Sequence, residues 1–213
     1  MFESMELGSF LLFLSLASLI AISPGPGILY VMARTLAGGR AEGIASSIGT
    51  GVGGMAHVIA GAFGVSALVM ASAQAFTLLK MAGAAYLIWL GIKTMRQARV
   101  AVTVGDVAPA GSRKAFRDGI VVEVFNPKTA AFFLAFIPQF VDPDRGAVAL
   151  QFVVLGCLSV MLNTLVDIVI AYGAAAVRNG IASRPRLLRR LREGSGVLLF
   201  GLGFSLAWAR RPV

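Results

Sequence analysis

The stretch LGSFLLFLSLASLIAISPGPGILYVMA, residues 7–33, carries no charged side chain. It exceeds the roughly 20 residues that a helix needs to cross a bilayer. Within it stands Ser23-Pro24-Gly25-Pro26-Gly27. Each proline there removes a backbone donor and frees a carbonyl one turn back. The run therefore reads as a membrane span, and the proline–glycine cluster as a break inside it.

The same pattern repeats along the chain. Apolar runs at 43–70, from the turn at 71–74 to 92, at 116–140, at 147–177 and at 194–209 give six expected spans. Of the 213 residues, 57% are hydrophobic and 14% charged, with a mean hydropathy of +0.82. A soluble domain carries about 25% charged residues, so there is too little polar surface here to cover a water-exposed globule. Glu3 and Glu6 precede the first run, where a signal peptide would be basic, so this segment is expected to stay in the mature chain.

The net charge of +9 is confined to short connections. Fourteen Lys and Arg residues fall after spans one, three and five, against four on the opposite side. That bias places those connections in the cytoplasm and both termini outside; the N-terminus moves inside if the broken first segment does not fully cross. The positive-inside pattern accounts for the basicity without nucleic acid, which is not expected as a partner. Cys157 is the sole cysteine and His57 the sole histidine, so a disulfide framework, a two-thiol relay and a His-rich metal site are all excluded. No phosphate-binding glycine loop is present, and no cofactor is expected.

The chain reads as one membrane domain, 1–213, with halves at about 5–99 and 114–211 joined by a linker at 100–113. An offset of 112 residues aligns Leu90-Gly91-Ile92 with Leu202-Gly203-Phe204, Pro26 with Pro138 and Lys80 with Arg192. Three spans per half must insert with opposite orientation. The expected fold is therefore an all-α integral membrane protein whose six transmembrane helices form two inverted three-helix repeats, with the first and fourth helices broken by proline.

Two features go beyond a bundle of apolar helices. One is the pair of breaks, at Pro24, Gly25 and Pro26 and at Asn126, Pro127 and Lys128 with Pro138. Freed backbone groups in hydrocarbon are costly unless they face protein or a watery cavity, and broken helices in both halves point to a substrate site near the midplane. Tolerated structural kinks are the plainer alternative.

The other is the set of polar groups at membrane depth: His57, Glu123, Lys128, Asn163 and Asp167, with Gln139 nearby. Asn163 and Asp167, four apart, share a helix face. Lys128 and Asp167 form a natural pair across helices. A zwitterion needs a cationic and an anionic group close together; Lys128 would hold its carboxylate, and Asp167 or Glu123 its ammonium or a coupling proton. A structural ion pair is the alternative for the first two, and a place at the interface for Glu123. His57 suits a proton relay or a packing role. Gln139 and Asn163 would donate to substrate or bridge helices. Phe132, Phe133, Phe136 and Phe140 read as packing.

Together these residues resemble the LysE/RhtB family of amino-acid exporters. The resemblance rests on Ser-Pro-Gly-Pro-Gly at 23–27, the Gly-rich second span and KMAGAAYLIWLG at 80–91. It extends to Gly119, Asn126-Pro127-Lys128, Phe132-Phe133 and Pro138-Gln139-Phe140. It implies six hydrophobic segments, multi-pass location in a bacterial cytoplasmic (inner) membrane and ion-gradient-driven export of an amino acid or derivative; the leading reading is a secondary exporter, proton-coupled and working by alternating access between the two halves. Its partners would be that small-molecule substrate, a proton or other coupling ion and the lipid bilayer; a homo-oligomer is compatible with it. The competing functions are a non-transporting structural or sensory membrane subunit and a membrane enzyme. The latter lacks any evident nucleophile triad or ligand cluster.

Overall fold

A computed structural model describes residues 7–71, 73–97, 107–142 and 146–178, with 193, 197, 200, 201 and 204. The basic connection after span five, most of the expected sixth span and much of the linker lie outside the described residues. Among the described residues there is helix and no strand. The helices are α1 (Leu7–Ile22), α2 (Pro26–Gly38), α3 (Arg40–Ala71), α4 (Ala73–Gln97), α5 (Ser112–Val124), α6 (Pro127–Ala131) and α7 (Val148–Arg178). A π turn, Phe132–Phe136, and a 3-10 turn, Ile137–Phe140, prolong α6.

Among the described residues, two helices are long and apolar enough to cross a membrane unaided, at Arg40–Gly64 and Val148–Ala176. Two further apolar pairs qualify only together: α1 with α2, bent by 47°, and α5 with α6 and its extension, bent by 43°. Both bends fall where sequence placed the breaks, and each is followed by a proline at the first turn of the next helix, Pro26 and Pro127. That position tolerates proline because its N–H would have no intrahelical partner. Structurally Pro26 thus corresponds to Pro127, whereas the repeat offset pairs it with Pro138, which lies in the 3-10 turn. The polar stretch at 34–42, between the first two expected spans, is less of a turn than its composition suggests. The helix runs on to Gly38, and Gly39 alone, at φ 82°, redirects the chain into α3.

Close packing centres on α3, which lies against both α5 and α7. Glycine makes the α3–α5 approach possible. A Cβ on Gly119 would stand 2.8 Å from the Ser46 carbonyl oxygen, and one on Gly53 2.6 Å from that of Ile120. Gly49 meets the Phe116 carbonyl in the same way. Backbone thus rests on backbone, as small residues allow between membrane helices. Elsewhere the core is aromatic: Phe13 of α1 stacks on Phe136 and meets Phe140 edge-on, and Phe132 stacks on Phe136. The outer faces are apolar, with Phe63 76% and Val169 70% exposed. Such surface suits lipid and would be a liability in water.

On the side of the α2–α3 turn, the buried Glu42 carboxylate accepts from the Ala110 and Gly111 amides at 2.9 and 2.7 Å. Its other oxygen lies 3.6 Å from Arg34. This carboxylate holds the end of the linker and the start of α5 against the first half, and Gly111 takes the φ of 82° that the entry into α5 requires.

Candidate functional site at the two helix breaks

The two breaks meet face to face. Lys128, in the first turn of α6, sends its side chain past Gly25 to the end of α1, where its ammonium donates to the Ile20 and Ser23 carbonyls at 2.6 and 2.5 Å. The Ile20 carbonyl belongs to the last turn of the broken helix and also accepts from the Ser23 amide at 3.1 Å, and the Ser23 carbonyl stands just beyond that turn. A Cβ on Gly25 would lie 2.8 Å from Lys128 Cδ, so glycine is what lets the stem pass. The side chain is 7% exposed.

Across the break, Asn126 caps α6 by accepting from the Lys128 amide at 3.0 Å, and its Nδ2 donates to Glu123 Oε2 at 2.8 Å. Thr129 donates to Glu123 Oε1 at 2.6 Å, so both carboxylate oxygens are engaged. Glu123 is buried beside Gly27, whose missing side chain makes room for it. His57, on α3, lies with Nε2 2.9 Å from the Glu123 carbonyl. A carbonyl only accepts, so Nε2 carries the proton there. The ring also packs on Phe133, centroids 5.7 Å apart.

Asp167 comes from α7. Its Oδ2 lies 2.8 Å from the Thr50 hydroxyl, which is also 2.8 Å from the Ser47 carbonyl. Asn163, one turn earlier, donates to Ser159 of its own helix at 2.9 Å.

One narrow, partly open cleft joins these groups. Gly25, Glu123, Asn126, Lys128, Asn163 and Asp167 line it, as the sequence reading grouped them. Gly27, Ile28, Thr50, Gly51, Gly54, Thr129, Phe133, Val160 and Thr164 line it as well, and sequence reasoning had not selected them for a site. Thr50, Gly54 and His57 are spaced i, i+4 and i+7, a one-face signal that would have found the first two. Pro24, Pro26 and Pro127 shape the breaks without lining the cleft, and His57 reaches it through the Glu123 carbonyl. Gln139 does not line it; its amide bonds to Ala135 of its own turn at 2.5 Å. The expected Lys128–Asp167 ion pair is not formed. The two charges share the cleft, but Lys128 is held by the α1 carbonyls and Asp167 by Thr50, because the broken α1 offers the nearer acceptors.

Interrupted apolar helices whose breaks meet at a buried cleft are the outline of a membrane transport protein. The sequence places the chain more narrowly: residues 18–210 match the LysE type translocator model, and the protein belongs to that family. It is 34% identical to an uncharacterised membrane protein of Vibrio cholerae over 97% of this chain and all of the relative. It is likewise 34% identical to the homoserine/homoserine lactone efflux protein of Salmonella typhimurium, over 93% of this chain and 95% of that one. A leucine efflux protein of an Enterobacter species is 23% identical over 90% and 91%. No solved structure matches the chain.

Proposed function

We propose that the protein is a secondary exporter of small neutral amino acids or close derivatives, homoserine-like compounds first among them, across the bacterial cytoplasmic membrane. The observation that carries this reading is the meeting of the two breaks, which gathers Lys128, Glu123 and Asp167 around one buried cleft. The relatives named as efflux proteins support export as the direction and an amino acid or derivative as the substrate class.

The substrate carboxylate docks at the start of α2. Proline at its first position and a glycine cap without a side-chain bond leave the Gly27 and Ile28 amides open. The helix dipole and the neighbouring Lys128 ammonium favour an anion there. The substrate ammonium faces Asp167 and Asn163, and Ile28, Phe133 and Val160 take its side chain. Asp167 is the proton-coupling group. Its carboxylate is buried, lines the cleft and is bonded by the Thr50 hydroxyl at 2.8 Å. Six spans in two inverted halves, with the breaks as hinges, would expose the cleft to each side in turn.

The test is efflux from cells preloaded with a panel of dipeptides, comparing the overexpressed protein with Lys128→Ala. Loss of one amino acid accelerated by the protein, and abolished by both the substitution and an uncoupler, supports export. Equal efflux of every amino acid with and without protein in the membrane overturns it.

A further inference from the structure

The Lys128 ammonium stands at the wrong end of its own helix. It belongs to the first turn of α6, where the helix dipole disfavours a cation, and it is buried. It is held instead by the opposite pole of another helix, the carbonyl end of α1, through Ile20 and Ser23. A third oxygen belongs to the same residue: the Ser23 hydroxyl is buried and has no hydrogen-bond partner. Buried hydroxyls without a partner are rare and costly.

Two main-chain carbonyls at a negative helix end are oxygen ligands of the kind that replace part of a monovalent cation's water, and the Ser23 hydroxyl, which the ammonium does not engage, is left over beside them. We infer that the end of α1 is a cation site that this chain fills with its own lysine. The tethered ammonium takes the place that a dissolved alkali-metal ion would occupy if the lysine were absent. The inference deepens the proposed function by explaining how the broken α1 is stabilised, and it requires no particular substrate.

Gly25 supports the assignment. The Lys128 stem crosses the break at the one residue where a Cβ would obstruct it, so glycine there keeps the route from α6 to the α1 carbonyls open. The acidic groups facing the region are Glu123 from α5 and Asp167 from α7. Neither is bonded to the ammonium: Asn126 and Thr129 occupy Glu123, and Thr50 bonds Asp167. The carbonyl cage, and not an ion pair, holds the charge.

The experiment is binding of 22Na⁺ to purified protein in choline buffer, with the thermal midpoint as a second readout. Wild-type protein should bind no sodium at this site and show the same midpoint in sodium and choline. Lys128→Ala should bind sodium saturably and melt several degrees higher in sodium or methylammonium than in choline. Lys128→Ser is the companion if the alanine variant is too fragile, and a variant that folds only when a small cation is present also supports the site. Folded variants that bind no sodium, equal binding by wild type and variants, or failure of both variants in every salt would overturn it. Because no substrate enters the measurement, absence of export would leave this result standing, and loss of sodium binding would leave the export reading standing.

Discussion

Lys128 and Ser23 are joined by a hydrogen bond of 2.5 Å from ammonium to main-chain carbonyl, across 105 residues of sequence and between two interrupted helices. Two defects are thereby made to satisfy each other. The carbonyl freed by the first break receives a charge-assisted donor, and the cation displaced by the second finds a negative pole. The cleft exists because the two breaks meet.

Gly25→Ala should separate those partners. The new methyl would stand 2.8 Å from Lys128 Cδ, and the lysine stem would have to swing away from the α1 carbonyls. Efflux from preloaded cells is expected to fall about tenfold, the rate equivalent of ~1.4 kcal/mol in a barrier. Immunoblotting of membranes should show unchanged protein.

Gly119→Ala is predicted to act on stability. Its Cβ would meet backbone, the Ser46 carbonyl at 2.8 Å and the Thr50 amide at 3.2 Å, and neither can rotate aside. Overpacking of this kind costs about 1–3 kcal/mol. A lowered unfolding midpoint in detergent is the readout, with Gly64→Ala, which meets nothing within 4 Å, as the unaffected control.

Asn126→Ala removes both a helix cap and one of the donors to Glu123. The cap is worth about 1 kcal/mol, and a buried acceptor left without its donor costs about 1–3 kcal/mol more. Denaturant unfolding in micelles should register a loss of about 2 kcal/mol or more.

Asp167→Asn keeps the shape of the side chain and its contact with Thr50 but cannot take up a proton. Exchange of labelled for unlabelled substrate across proteoliposomes should persist, while acceleration by an imposed pH gradient should vanish. A variant that still responds to the gradient would move the coupling role elsewhere.

The helices and their breaks could be read in the sequence because bilayer length and proline are local signals. Long apolar runs marked α1, α3 and α7, and Pro26 and Pro127 marked the two bends. The partners across the breaks could not be read, because they depend on which helix ends meet. Opposite charge suggested Lys128 with Asp167, whereas the main-chain carbonyls of Ile20 and Ser23, which carry no residue-specific signal, hold the ammonium. Thr50 was hidden for a related reason: a threonine in a helix ordinarily satisfies itself on its own backbone, and only its alignment with Gly54 and His57 marks the face. Gln139 illustrates the opposite case, a polar residue in a conspicuous motif that bonds within its own turn.

The glycine seam between α3 and α5 bears on how such a protein could open. Gly49, Gly53 and Gly119 bring main chain against main chain, leaving no side chains whose rotamers could lubricate a slide. The pair is in effect one strut, although α3 comes from the first half of the sequence and α5 from the second. Under the proposed alternating access, the fault line along which the molecule would divide cannot simply follow the midpoint of the chain. It would have to run around this strut, leaving α1 with α2 and the segment beyond the α5 break as the parts to swing.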